Sequence, residues 1–113
     1  MEVRFWETES GRRPVYKFVN DQPPEAFARI AKDIDHLEQR GLKLLANPKK
    51  FAPLPPYRGL YELKIDFKGV FYRIILCVVR GVAHLLVAFK KKDNRTRRSH
   101  IKTALARQRI VPA

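Results

Sequence analysis

The sequence predicts a small α+β domain, in which a twisted, mainly antiparallel sheet of about four strands packs against an N-terminal helical hairpin and a short C-terminal helix. Two observations predict this class. The second half of the chain contains three apolar segments joined by two-residue turns, and the first half contains a segment whose apolar residues recur at helical spacing. With 113 residues and 45% apolar content the chain can bury one core, so residues 1–113 form a single predicted domain.

The first segment alternates over residues 2–8, which predicts a strand. Gly11 to Pro14 ends that pattern. Residues 15–19 follow, and they suit either a strand or an irregular segment.

The first long helix is predicted from Pro24 to the residue before Gly41. Proline suits the start of a helix and glycine the position after its end. A short second helix over residues 42–46 should end at Asn47-Pro48 and complete a helical hairpin. Residues 51–57 contain three prolines and predict an irregular linker.

Three strands are predicted at residues 60–67, 70–79 and 82–89, with Lys68-Gly69 and Arg80-Gly81 as the turns. Such turns place Lys64 opposite Arg73, and Arg73 opposite Ala88. Alternation then assigns one set of residues to the core face beneath the long helix. The set is Tyr61, Leu63, Ile65, Phe67, Val70, Tyr72, Ile74, Leu76, Val78, Ala83, Leu85, Val87 and Phe89.

The other face of these strands carries Lys64, Arg73 and Lys90. Lys90 lies diagonal to Arg73 at roughly 7–8 Å, so the three cations can converge on one anion, such as an RNA phosphate. The alternative is that Glu62 and Asp66, on the same face, neutralise Arg73 in an ordinary surface ladder of salt bridges.

A last helix is predicted after Thr96 or Ser99, either of which can cap it. Arginines in its first turn oppose the helix dipole, a conflict that a bound phosphate removes; the alternative is two exposed arginines at a frayed helix start. The basic residues of this region, expected to bind RNA or the ribosome, are Lys92, Arg95, Arg97, Arg98 and Lys102.

The net charge of +13 is concentrated in the second half of the chain. Residues 58–113 carry 14 Lys and Arg against 3 Asp and Glu, whereas residues 1–57 carry 10 against 8. This segregation predicts a polyanion-binding face, since a charge that only kept the protein soluble would not need it.

The sequence also predicts what the protein lacks. A single cysteine, Cys77, excludes an internal disulfide and a Cys/His metal cluster, and it fits a reducing cytoplasm. We find no signal peptide, and the apolar run from Val70 to Val79 is too short for a membrane helix. We expect a soluble protein without cofactor, metal or membrane partner.

Four short motifs in fixed order resemble the phage-derived HigB-like branch of the RelE/ParE toxins. They are Leu60-Tyr61-Glu62-Leu63-Lys64, Tyr72-Arg73-Ile74, the run from Leu85 to Lys92, and Ala104-Leu105-Ala106-Arg107. The resemblance implies the toxin of a type II toxin–antitoxin pair that cleaves mRNA on the translating ribosome without a metal. It also implies a cognate antitoxin, of the helix-turn-helix HigA-like kind, as the inhibiting partner.

Carried onto this sequence, the resemblance assigns the basic catalytic site to Lys64, Arg73, Lys90 and Lys91. The chain departs from the family near its end, where RelE proteins often have tyrosine and some HigB proteins histidine; here His100 is the nearest candidate. Attack of an RNA 2′-OH on the adjacent phosphate needs a proton acceptor, cations and a proton donor. Arg73 suits the phosphate, whereas His100 or a lysine crowded by cations suits proton transfer.

Three other functions remain open at this point. A ParE-like toxin that poisons gyrase has the same fold, and a basic module that binds nucleic acid or the ribosome without cleavage has the same charge. A degenerate toxin that only binds its antitoxin is the third. Phe71 and Tyr57 are candidates for stacking on RNA bases or for packing, whereas His36 and His84 are expected to be structural.

Overall fold

The computed structural model describes residues 1–91 and 94–111, without the side chains of residues 94–97. The described chain forms one five-stranded sheet, three α-helices and a 3₁₀ helix. In chain order the elements are β1 (Glu2–Phe5), α1 (Pro14–Asn20), α2 (Pro24–Arg40), the 3₁₀ helix (Gly41–Ala46), β2 (Phe51–Pro53), β3 (Leu60–Phe67), β4 (Val70–Val79), β5 (Val82–Lys90) and α3 (Asn94–Gln108).

The sheet has the order β1-β5-β4-β3-β2 and is not closed. β1 runs parallel to β5, and every other neighbouring pair is antiparallel. The predicted α+β class is therefore confirmed. The sheet has five strands, where about four were predicted, because β2 adds a short strand beside β3.

The N-terminal half contains one more helix than predicted. Residues 14–20 form α1, where a strand or an irregular segment was expected; Val15 and Val19 are buried on its inner face. Pro14 occupies the first position of this helix, where its missing N–H costs nothing. α2 begins and ends as predicted, and the short second helix is a 3₁₀ helix.

The proline-rich segment is only partly irregular. Phe51, Ala52 and Pro53 pair with Leu63, Glu62 and Tyr61 as an edge strand, so the prediction of an irregular linker over the whole of 51–57 was wrong. Pro53 is tolerated because it lies at the end of an edge strand, where an N–H is dispensable.

Both predicted turns are present. Lys68 and Gly69 have φ of 49° and 78°, and Arg80 and Gly81 have φ of 50° and 77°, as two-residue hairpin turns require. The predicted pairing holds throughout the first hairpin, including Lys64 opposite Arg73.

The second hairpin departs from the predicted register. It follows the prediction from Val79 to Leu76, but the register shifts at an irregularity between Ile75 and Leu76. Beyond it Arg73 lies opposite Phe89, not Ala88, and Tyr72 lies opposite Lys90. An extra residue in one strand exchanges the two faces for everything that follows.

The two faces of the sheet carry separate cores. The first core packs against α1 and α2, and it contains the residues of the predicted core face as far as Leu85. Phe51 of β2 adds to it, as does Ala88, which lies beyond the register shift and was assigned to the other face. Val87 and Phe89 were assigned to that face wrongly, because they pack in the second core with Leu86. α3 supplies Ala104 and Ile101 to this second core.

The last helix begins earlier than predicted. Because α3 starts at Asn94, Thr96 and Ser99 lie inside the helix and neither is its N-cap. Within residues 1–91 and 94–111, no helix is both long and apolar enough to cross a membrane.

Candidate functional site

Four side chains line up across the second face of the sheet, beside the first half of α3. Lys64 on β3 lies opposite Arg73 on β4, which lies opposite Phe89 on β5. The Phe89 ring stacks on His100 of α3, with centroids 4.0 Å apart and planes 13° from parallel. We call these four residues the Arg73 row. It brings together three of the predicted site residues, Lys64, Arg73 and His100.

Arg73 is the fixed centre of this row. Its side chain is only 9% exposed, and Nη1 donates to Asp66 Oδ1 at 2.7 Å and to the Tyr72 carbonyl at 2.9 Å. Phe71 lies on the same face, 47% exposed, with its ring centroid 5.9 Å from the Arg73 guanidinium carbon. A carboxylate thus pairs with Arg73, as the alternative of a salt-bridge ladder predicts, while a solvent-facing aromatic ring stands beside it.

Lys64 is held by backbone contacts. Its Nζ donates to the Pro48 carbonyl at 3.1 Å, and its backbone N–H donates to the Lys50 carbonyl at 2.8 Å. The segment before β2 therefore fixes the position of the Lys64 ammonium at this edge of β3.

Lys90 does not join the row. It pairs with Tyr72, whose side chain belongs to the first core, and its Nζ lies 6.0 Å from the centre of the Tyr72 ring. The predicted convergence of Lys64, Arg73 and Lys90 on one face is therefore wrong, and the register shift is the physical reason. Lys91 follows, and its backbone N–H donates to the Phe71 carbonyl at 2.7 Å.

His100 has the protonation state that a general base needs. Burial against Phe89 lowers its pKa below the ordinary 6.5, so the imidazole is neutral at pH 7 and can accept a proton. The other histidines stand elsewhere. His84 pairs with Cys77 at the far end of β5, and His36 lies on α2 with Nδ1 3.9 Å from Asp33.

A basic cleft adjoins the row at the edge of β3, beside the segment that precedes β2. Its volume is about 300 Å³, and its side next to the row is formed by Lys64, a member of the row, and Asp66, the partner of Arg73. Arg29, Asn47, Lys49 and Lys50 complete its lining. The buried Asp33 carboxylate lies 3.6 Å from Lys50 Nζ and 3.9 Å from Arg29 Nε, which holds these two cations together.

A second cavity, of about 420 Å³, lies along α3. Arg98 and Lys102, two predicted RNA-binding residues, line it together with Tyr57, the predicted stacking residue. Lys92 lies outside the described residues, as do the side chains of Arg95 and Arg97, so their predicted roles stay predictions.

The comparison with protein families matches most of this chain. Residues 17–109 match the family described as Phage derived protein Gp49-like (DUF891). The chain belongs to this Gp49-like family. The family is part of the RelE/HigB-like toxin superfamily, and membership is consistent with a toxin of a toxin–antitoxin pair. A search of curated proteins found no similar one.

Several residues of the row and the basic cleft were missed by the sequence analysis. Phe89 was assigned to the core, and Arg29, Lys49 and Lys50 were not considered. The pair Lys49-Lys50 directly before β2 was the available clue, but only the fold reveals that Arg29, 20 residues before Lys49 in the sequence, lines the same cleft.

The described residues give less support to thiol or metal chemistry than to the row. Burial raises the pKa of the Cys77 thiol to about 11, so it stays protonated at pH 7 and serves as a packing residue. Among the residues that the structure describes, no group of three His, Cys, Asp or Glu side chains could hold a metal ion.

Proposed function

We propose that this protein is the toxin of a type II toxin–antitoxin pair and cleaves mRNA on the translating ribosome, with the Arg73 row as its active site. A cognate antitoxin holds it inactive in this proposal. The observation that carries the proposal is the row itself, which brings an ammonium, a buried guanidinium and a neutral imidazole to one side of the sheet, with the Phe89 ring between the guanidinium and the imidazole.

The reaction assigns one role to each side chain of the row. His100 takes the proton of an RNA 2′-OH as its oxygen attacks the adjacent phosphorus. Arg73 stabilises the charge that develops on the phosphate oxygens, for which a forked guanidinium is suited. The P–O5′ bond then breaks, and Lys64 gives a proton to the leaving oxygen. The products are a 2′,3′-cyclic phosphate and a 5′-hydroxyl end.

The surroundings of the row suit a single RNA strand. The exposed Phe71 ring can stack on a base beside the scissile phosphate, as aromatics do in RNA recognition. The basic cleft continues the positive surface on the Lys64 side, and Arg98, Lys102 and Tyr57 continue it along α3. Alternation from Phe89 assigns Lys91 to the same face as Arg73.

Mapping mRNA 5′ ends during in vitro translation tests the proposal. We expect the wild type to create new 5′-hydroxyl ends, and Arg73→Ala to lower the cleavage rate roughly 10²- to 10³-fold, because a preorganised donor to the developing charge is lost. Lys90→Ala is the matched control. It removes a cation next to the site in sequence but on the other face of the sheet, and should cleave at nearly the wild-type rate.

The outcome is interpretable only for folded variants, so circular dichroism and thermal melting accompany each. Arg73→Lys keeps the charge without the fork and should retain part of the activity. Full cleavage by folded Arg73→Ala refutes the site. Growth arrest with DNA damage and intact mRNA identifies a gyrase poison, and salt-sensitive RNA binding without cleavage identifies a binding module.

A further inference from the structure

A cationic cavity lies at the other end of α3, away from the Arg73 row. It has a volume of about 420 Å³ and lies between the loop after β1, the start of α1 and the C-terminal part of α3. Arg12, Arg13, Lys17 and Arg107 line it, and its lining within the described chain includes no acidic residue. Ligand pockets in proteins have volumes of about 300–1,000 Å³, so the cavity has room for a small organic anion.

Arg107 is the most constrained of these cations. It is partly buried, its Nη1 donates to the Leu86 carbonyl at 2.6 Å, and its guanidinium carbon lies 4.6 Å from the centre of the Trp6 ring. In the described part of the chain no carboxylate lies within salt-bridge distance of it. Burial lowers its pKa, which means that the fold holds this cation at an electrostatic cost.

The α1 part of the lining contains a guanidinium stacked on an aromatic ring. The Arg13 guanidinium carbon lies 4.0 Å over the Tyr16 ring, and the Tyr16 ring contacts Phe5 edge to face at 5.4 Å. A guanidinium that is supported on one face by an aromatic ring can accept a nucleobase on its other face. Lys17 is already paired with Asp21 at 2.7 Å, so Arg12, Arg13 and Arg107 supply the positive charge.

We propose that this cavity binds a nucleotide, with the phosphate between Arg12 and Arg107 and the base against Arg13. Arginine forks match phosphate oxygens in pairs, and the Arg13 guanidinium backed by the Tyr16 ring offers a flat surface for one base. An acidic peptide offers carboxylates but no planar base, and is the less complementary ligand. The nucleotide comes either from an RNA strand or from the free pool.

The site is separate from the Arg73 row, although one helix carries residues of both. His100 and Arg107 are seven residues apart on α3, which is about 10 Å along the axis and nearly the same side of the helix. Binding in the cavity does not depend on the proposed cleavage reaction, so the two proposals can fail independently.

Calorimetric titration of the intact protein tests the site, with 5′-AMP, inorganic phosphate and a six-nucleotide single-stranded RNA as probes. Arg12→Gln is the variant, because the Arg12 side chain is exposed and, among the described residues, its hydrogen bonds are those of its backbone with Thr8. We expect it to bind 5′-AMP or the RNA roughly tenfold more weakly than the wild type. Arg40→Gln, an equal charge change on the exposed end of α2, should bind like the wild type.

Each outcome decides the question. Binding of 5′-AMP that Arg12→Gln weakens supports the site with a free nucleotide as ligand, and the same dependence for RNA alone supports it with a strand phosphate. The proposal is overturned if Arg12→Gln and Arg40→Gln bind the nucleotide probes equally well. It is also overturned if the protein binds polyglutamate but neither 5′-AMP nor the RNA. Arg107→Lys keeps the charge without the fork and should also bind 5′-AMP more weakly than the wild type.

Discussion

The Asp66 carboxylate determines how much positive charge Arg73 presents to a ligand. It is the acceptor for Arg73 Nη1, and its own side chain is 57% exposed, so an incoming RNA phosphate competes with it directly. The pair is buried on the Arg73 side and exposed on the Asp66 side, so the carboxylate stands where a ligand anion would approach the guanidinium.

Replacing this carboxylate should therefore strengthen RNA binding. We expect Asp66→Asn to bind a short single-stranded RNA roughly three- to tenfold more tightly at low salt, because Arg73 then pairs with phosphate alone. The slope of log affinity against log salt should steepen by about 0.7, the value for one more phosphate contact. Fluorescence anisotropy between about 50 and 200 mM salt measures both.

Asp35→Asn is the control for this prediction, since it makes the same charge change at an exposed position on α2. An equal gain in affinity from both variants would mean that only the net charge matters and that Asp66 has no special relation to Arg73.

The lowered pKa of His100 makes a prediction about pH. A general base must be unprotonated, and burial holds the pKa of His100 below 6.5. The cleavage rate should therefore be constant between about pH 7 and 8 and fall about tenfold per pH unit below the pKa of His100. Single-turnover cleavage on programmed ribosomes measures this profile. His100→Gln should be slow at every pH; if it keeps the acidic limb, another group is the base.

At the scale of elements, the turns were predictable but the register was not. Both turns, Lys68-Gly69 and Arg80-Gly81, can be recognised in the sequence because glycine follows a polar residue between two apolar runs. The register shift opposite Ile75 falls where β5 reads Leu85, Leu86, Val87, all apolar, so alternation gives no sign of which residue is extra. Because of this shift by one residue, Lys90 lies outside the Arg73 row and Phe89 belongs to it.

The backbone of the second turn also limits the stability of the hairpin. Arg80 has φ of 50°, a left-handed conformation that costs most L-residues roughly 1–2 kcal/mol. Arg80→Asn creates an Asn-Gly turn and should raise the free energy of unfolding by about 0.5–1 kcal/mol, because asparagine tolerates this conformation. Urea denaturation measures the change.

The matched control for the turn is Arg80→Gln, which removes the same charge but keeps the unfavourable conformation. It should leave the free energy of unfolding nearly unchanged. Arg80 is preferred over Lys68 for this test because Lys68 also forms an ion pair with Glu25. An equal gain from asparagine and glutamine would attribute the effect to charge.

At the scale of the whole molecule, charge was more predictable than shape. The excess of cations in residues 58–113 pointed to the sheet and α3, where the Arg73 row lies. The basic cleft could not be predicted, since it joins Arg29 of α2 to Lys50 and Lys64 across long sequence separations. α1 was missed although Val15, Phe18 and Val19 have helical spacing, because the segment is short and β-branched.

Two histidines with lowered pKa should make the whole domain less stable in mild acid. Burial lowers the pKa of His84, with Arg4 adding to the effect, and burial alone lowers that of His100. In the unfolded chain both histidines have ordinary pKa values near 6.5, so in mild acid the unfolded chain binds more protons than the folded one. This contribution to stability is therefore fully present above about pH 6.5 and is lost as the pH falls from there through the folded-state pKa values. The lowered pKa of Glu25 acts only in more acidic solution, below about 4.5. Urea denaturation from about pH 7.5 to 5 should show a falling free energy of unfolding, and the double variant His84→Gln/His100→Gln should flatten it. An undiminished slope in that variant would assign the acid sensitivity to other groups.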